Sequence, residues 1–121
     1  MSKQILVVED TENNRRILND LLTKAGFDVI EAIDGEKGVP MAEERRPDLI
    51  LMDIQLPIID GYEATRRIKS NPDLRDIPII AVTSYALSGD EDKARAAGCD
   101  DFVPKPYSPR QLLAKIRELL R

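Results

Sequence analysis

Three short stretches constrain the fold of this chain more than anything else in it. Ile5-Leu6-Val7-Val8, Leu49-Ile50-Leu51-Met52 and Ile79-Ile80-Ala81-Val82 are continuous apolar runs. They are too short for helices and lack the alternation of a strand wetted on one side. Such runs form strands buried on both faces, the environment of a parallel sheet. Two weaker candidates join them, so strands are expected at Gln4–Val8, Asp28–Ala32, Leu49–Met52, Ile77–Val82 and Asp101–Val103. Segments of helical period lie between. The first puts Ile17, Leu18, Leu21, Leu22 and Ala25 on one face, with Gly26 where a C-terminal cap belongs. The last opens on Ser108-Pro109, an N-cap followed by proline at the first helical position, and its apolar face is Leu112, Leu113, Ile116, Leu119 and Leu120. Asp60 with Glu63, and Ser88 with Glu91, have the spacing of capping boxes. The second helix carries Gly35, Gly38 and Pro40 in its first half. An interior proline costs about 3 kcal/mol, so a kink or a late start is expected there. The fourth, about Ser88 to Ala97, offers only Ala94, Ala96 and Ala97 as clear apolar contacts, which marks it as loosely held. Five βα units follow, with helices on both faces of the sheet and right-handed crossovers.

With 121 residues, 42% hydrophobic and 33% charged, the chain has material for one core and reads as an ordinary globular protein. It stops where the fifth helix ends, so a single domain over residues 1–121 without an output domain is expected. Met1-Ser2-Lys3-Gln4 leads straight into the first strand without a signal-peptide layout, and no apolar run approaches the roughly 20 residues of a membrane helix. The expectation is a cytoplasmic protein that does not insert in membranes. The net charge of -4, with the two signs mixed, argues against direct nucleic-acid binding, which needs a basic face. Cys99 is the only cysteine, which excludes an internal disulfide and suggests a small core residue. There is no histidine, so a His-based triad, a His-ligated zinc and phosphorylation on an imidazole of this chain are all excluded.

Any metal or phosphoryl chemistry must therefore fall to carboxylates, hydroxyls and lysine. Ligands of open parallel sheets bind beyond the carboxyl ends of the strands. Glu9 and Asp10 follow the first strand, Asp53 the third, Thr83 and Ser84 the fourth, Lys105 and Pro106 the fifth. If the first and third strands are neighbours, three carboxylates converge. Two unit charges about 4 Å apart repel by about 4 kcal/mol at an effective dielectric near 20. A hard divalent cation would relieve this, and oxygen-only ligands point to Mg²⁺, with Mn²⁺ able to replace it. Asp53 could then attack phosphorus as a carboxylate nucleophile, with Lys105 stabilising the transferred charge and Thr83 donating to a phosphoryl oxygen. Each residue also has a plainer reading. Asp53 could end a turn, Glu9 and Asp10 could cap the following helix, Thr83 could cap a turn, and Lys105 could be a solvated surface charge. Against these stands their common position at one sheet edge.

Taken together, Val7-Val8-Glu9-Asp10, Leu51-Met52-Asp53-Ile54-Gln55-Leu56-Pro57 with Asp60-Gly61, Ala81-Val82-Thr83-Ser84, and Asp101-Phe102-Val103-Pro104-Lys105-Pro106 resemble the CheY-like receiver domain of two-component response regulators. The resemblance covers essentially the whole chain. It implies a flavodoxin-like (βα)5 fold with strand order 2-1-3-4-5. It implies that Asp53 is the phosphoacceptor and that Glu9, Asp10, Asp53 and the backbone carbonyl of Gln55 hold Mg²⁺. It further implies that Lys105 binds the phosphoryl group, with a cis bond to Pro106, and that Thr83 and Phe102 are the switch pair. Gln55 and Tyr85 would tune how long the phosphoryl group lasts. The implied partners are a sensor histidine kinase or histidine phosphotransfer protein as donor and a downstream protein effector. The effector would read the face made by the fourth helix, fifth strand and fifth helix, near which Tyr85, Phe102 and Tyr107 are expected.

The stretch from Gly89-Asp90-Glu91 to Gly98-Cys99 resembles stand-alone, DivK-like receivers, while Met52 to Gly61 is equally similar to receivers of hybrid histidine kinases. A flavodoxin-type redox protein shares the architecture, but Glu9-Asp10 would repel a flavin phosphate. A phosphatase built on an aspartyl phosphate would need an acid where Gln55 stands. The expectation is a signalling switch rather than an enzyme with a turnover substrate.

Overall fold

The apolar runs become the strands, and their alternation builds two separate cores. The computed structural model describes residues 2–83 and 90–120. The elements are β1 (Gln4–Val8), α1 (Glu12–Lys24), β2 (Asp28–Ala32), α2 (Gly35–Arg45), β3 (Leu49–Asp53), α3 (Gly61–Lys69), β4 (Ile79–Thr83), α4 (Asp90–Ala97), β5 (Asp101–Pro104) and α5 (Pro109–Leu119). The strands form one parallel sheet in the order β2-β1-β3-β4-β5. This is the flavodoxin-like order that the resemblance implied. Ile5, Val7, Leu49, Leu51, Ile80, Val82 and Val103 point to one side and meet Leu18 and Leu22 of α1 and Leu112 and Ile116 of α5. Leu6, Val8, Ile50, Met52, Ile79 and Ala81 point to the other and meet Ala42 of α2, Ala64 and Ile68 of α3 and Ala94 of α4. A period of two residues sorts the side chains, and both faces are apolar because both are covered.

Local signals set the helix ends. The side chains of Asp34, Asp60 and Ser108 accept from the backbone N–H groups of Lys37, Glu63 and Gln111, each satisfying a donor that the first turn leaves open. The carboxylate of Glu63 turns instead to Arg66 and Arg67 (3.2 and 3.0 Å). Gly26 follows the C-cap of α1 at φ +96°, a conformation that suits glycine.

Several expectations need correction. Helix α2 does not start late: it begins at Gly35 on the Asp34 cap, with Pro40 inside it. Its glycines serve packing. A Cβ on Gly35 would lie 2.8 Å from Ile59 Cγ1, and one on Gly38 would lie 3.0 Å from Val8 Cγ2. Helix α2 can therefore approach the end of β1 and the β3–α3 loop. Ile17, expected on the buried face of α1, is 52% exposed. Ala96 is exposed, while Ala94 and Ala97 carry the apolar contact of α4. Strand β4 begins at Ile79 rather than Ile77. The Ser88–Glu91 capping box involves positions outside the described residues. Cys99 is buried, with its sulfur 3.7 Å from Thr65 Oγ1. Among the described residues, no helix is long and apolar enough to cross a membrane.

Candidate functional site

Parallel pairing of β1 with β3 sets Val8 beside Met52, so the residues that follow each strand emerge together at one rim. Oxygen atoms of Glu9, Asp10 and Asp53 lie within 4.8 Å of one another. Glu9 and Asp53 are 2% and 4% exposed, while Asp10 faces solvent. Lys105, brought to the same rim by β5, places Nζ 3.0 Å from Glu9 Oε1 and 3.5 Å from Asp53 Oδ2. The Lys105–Pro106 peptide is cis.

Glu9 is held on several sides. Thr11 N donates to its Oε2 (3.0 Å), and Arg15 donates to its backbone carbonyl (2.9 Å). Arg15 also lies 3.7 Å from Glu31 on β2, tying α1 to the acidic turn. No motif marked Arg15 in the sequence; one turn into a helix beginning beside Glu9, its position was the available signal. Asp53 Oδ1 accepts from Gln55 N (3.1 Å). Gly61 lies against the same turn: a Cβ there would collide with the Asp53 carbonyl oxygen and come within 2.8 Å of Ile54 Cα. Only glycine lets α3 start this close to the end of β3.

The charges are strongly coupled. Burial and then the Glu9 carboxylate push Asp53 up from its ordinary 3.8 to about 7, although Lys105 pulls it down. Burial would also raise Glu9, but the Thr11 N–H and Lys105 outweigh it and hold Glu9 below the usual range. Partial desolvation and then Glu9 raise Asp10. Burial, with a smaller contribution from Glu9, raises the Tyr107 phenol. One ammonium thus serves two buried carboxylates, with a third acid alongside. This excess of hard oxygen donors and negative charge is suited to a divalent cation.

Thr83 ends β4 and is 1% exposed. Val82, paired in register with Asp53, belongs to the α1/α5 side, so alternation directs Thr83 to the opposite side. Gln55 Nε2 donates to Thr83 Oγ1 at 2.6 Å. Phe102 is half-buried against the α2/α3/α4 core, whereas Tyr107 packs against the α1/α5 core. Phe102 thus lies on the α4 side and Tyr107 on the α5 side of the edge strand β5. Tyr85 lies outside the described residues.

The chain belongs to the response regulator receiver domain family, whose profile matches residues 5–117. It is 42% identical over 120 residues to the polar-differentiation response regulator DivK of Brucella anthropi, covering 99% of this chain and 98% of that protein. DivK of Brucella abortus is 41% identical over the same shares. Among solved structures, the receiver domain of a Pseudomonas aeruginosa sensor histidine kinase superposes with a TM-score of 0.92 at 38% identity, covering 99% of this chain and 98% of that one. That structure has a magnesium ion coordinated in its active-site cleft. The chemotaxis protein CheY4 of Vibrio cholerae superposes with a TM-score of 0.93 at 25% identity, covering 99% and 100%.

Proposed function

We propose that this receiver takes a phosphoryl group onto Asp53 from the phosphohistidine of a sensor kinase or histidine phosphotransfer protein, and that the added charge changes which protein effector it binds. The observation that carries the reading is the gathering of Glu9, Asp10 and Asp53 within 4.8 Å, with Lys105 Nζ between Glu9 and Asp53. An ionised Asp53 oxygen attacks phosphorus, the donor's P–N bond breaks, and its electron pair stays on the departing imidazole. Lys105 follows the charge from carboxylate to phosphoryl oxygen, keeping an ion pair throughout. Glu9, Asp10, Asp53 and the backbone carbonyl of Gln55 would hold Mg²⁺, or Mn²⁺ in its place, whose charge favours ionised Asp53 and offsets that of the phosphoryl oxygens. Thr83 donates to the new phosphoryl group, and Phe102 responds to its movement at the α4–β5–α5 face. Later attack by water on phosphorus breaks the P–O bond to Asp53, releases inorganic phosphate and restores the carboxylate. Gln55 and Tyr85 tune how readily that water arrives.

The magnesium in the similar Pseudomonas receiver supports the choice of metal. The similarity to the DivK proteins supports a DivK-like, stand-alone role over that of a receiver in a hybrid kinase. A cytoplasmic location is part of this reading. The test is incubation with a small phosphodonor and Mg²⁺ followed by intact mass. A gain of one phosphoryl group that Asp53→Ala lacks is expected; an unchanged mass in the wild type, or equal gain in the variant, contradicts the reading.

A further inference from the structure

Gln55 touches both ends of the proposed switch. Its backbone N–H donates to Asp53 Oδ1 at 3.1 Å, and its side-chain amide donates to Thr83 Oγ1 at 2.6 Å. The second bond joins the β3–α3 loop to the end of β4, across 28 residues of sequence. Thr83 is almost wholly buried, so little water is available to replace the amide. A hydroxyl carries one proton and accepts at two lone pairs, and one of those is taken by Gln55 in this arrangement. Strand alternation directs Thr83 away from the side on which Asp53 stands. For the hydroxyl to donate to an oxygen added to Asp53, Oγ1 must turn from this position.

We propose that the Gln55 amide latches Thr83 in the resting state, making Gln55 a positioning residue that sets the balance between the resting and activated arrangements. The proposal rests on the receiver function above and adds a regulator to it. A bond made only at rest must be broken by whatever occupies Asp53. Deleting the latch therefore tightens the binding of a phosphoryl mimic by linkage. A net hydrogen bond of ordinary strength corresponds to a change of roughly two- to ten-fold.

The test uses the full chain in four forms: wild type, Gln55→Met, Thr83→Val and the double variant. Each is titrated with beryllofluoride in Mg²⁺ and followed by amide NMR. Gln55→Met is expected to bind roughly two- to ten-fold more tightly than wild type. The same substitution is expected to have no effect in the Thr83→Val background, because the latch has nothing left to hold. In the wild type, the Gln55 side-chain amide is expected to show slowed exchange at rest and to lose it at saturation. Equal affinities for wild type and Gln55→Met, an equal gain in both backgrounds, or an amide signal unmoved by beryllofluoride would each overturn the latch. The wild-type signal also tests it if a variant folds poorly. Failure of the wild type to bind beryllofluoride at all would instead bring down the receiver reading, and the latch with it.

Discussion

Replacing Asp53 by asparagine should stabilise the metal-free protein, and the gain should grow with pH. The side chain is almost fully buried, and its carboxyl is raised from 3.8 to about 7 by burial and by Glu9. A carboxyl raised on folding binds more protons in the folded than in the unfolded state between those two values. Stability is therefore lost as pH climbs from about 4, and the full penalty is reached above about 7. The displacement spans about three pH units at about 1.4 kcal/mol each, which sets an upper value of about 4 kcal/mol. Water at the open rim screens these charges, and a discount of about half leaves about 2 kcal/mol near pH 8. Asparagine keeps the oxygen that accepts from Gln55 N and removes the charge. With no tryptophan in the chain, urea unfolding followed by far-ultraviolet circular dichroism in EDTA is the suitable assay. Asp53→Asn should exceed wild type by about 2 kcal/mol near pH 8, with the difference shrinking to about 0.5 kcal/mol or less near pH 4. A variant no more stable than wild type near pH 8, or a difference that widens on acidification, would refute the electrostatic reasoning.

Removing the compensating charge should act in the opposite direction. Lys105→Met leaves Glu9 and Asp53 without their shared ammonium and should cost about 2 kcal/mol near pH 8 by the same unfolding assay, less than for a fully buried pair because Lys105 is partly exposed. Gly61→Ala drives a Cβ against the backbone of Asp53 and Ile54, neither of which yields cheaply. It should lower stability by about 1–3 kcal/mol and weaken Mg²⁺ binding measured by calorimetry. Ile58 is a β-branched residue at φ +72° and is 70% exposed. Ile58→Asn should raise the unfolding free energy by about 1 kcal/mol, since asparagine tolerates the left-handed region that isoleucine resists.

Much of this could be read before any coordinates. The apolar runs fixed the strands because burial on both faces leaves no polar alternation, and Asp60 and Ser108 act as caps through contacts only three residues away. What stayed hidden depends on distant neighbours. Gly35 and Gly38 read as helix breakers because nothing in their own stretch names Ile59 and Val8 as the groups pressed against them. Ile17 fits the apolar stripe of α1 by spacing, but it lies at the stripe's edge, beyond what the sheet covers. At the site, strand ends sufficed to gather Glu9, Asp10, Asp53 and Lys105. The hold of Arg15 on the Glu9 carbonyl and of Gln55 on Thr83 required side-chain directions that spacing does not supply.

The most direct test is chemical location of the transferred group. Protein treated with a phosphodonor and Mg²⁺ is reduced with borohydride, which converts an acyl phosphate to an alcohol, and is then digested and sequenced by mass spectrometry. Conversion confined to position 53 is expected. Conversion at Glu9 or Asp10 instead, or a phosphoryl group that survives reduction as a hydroxyl ester, would contradict the account.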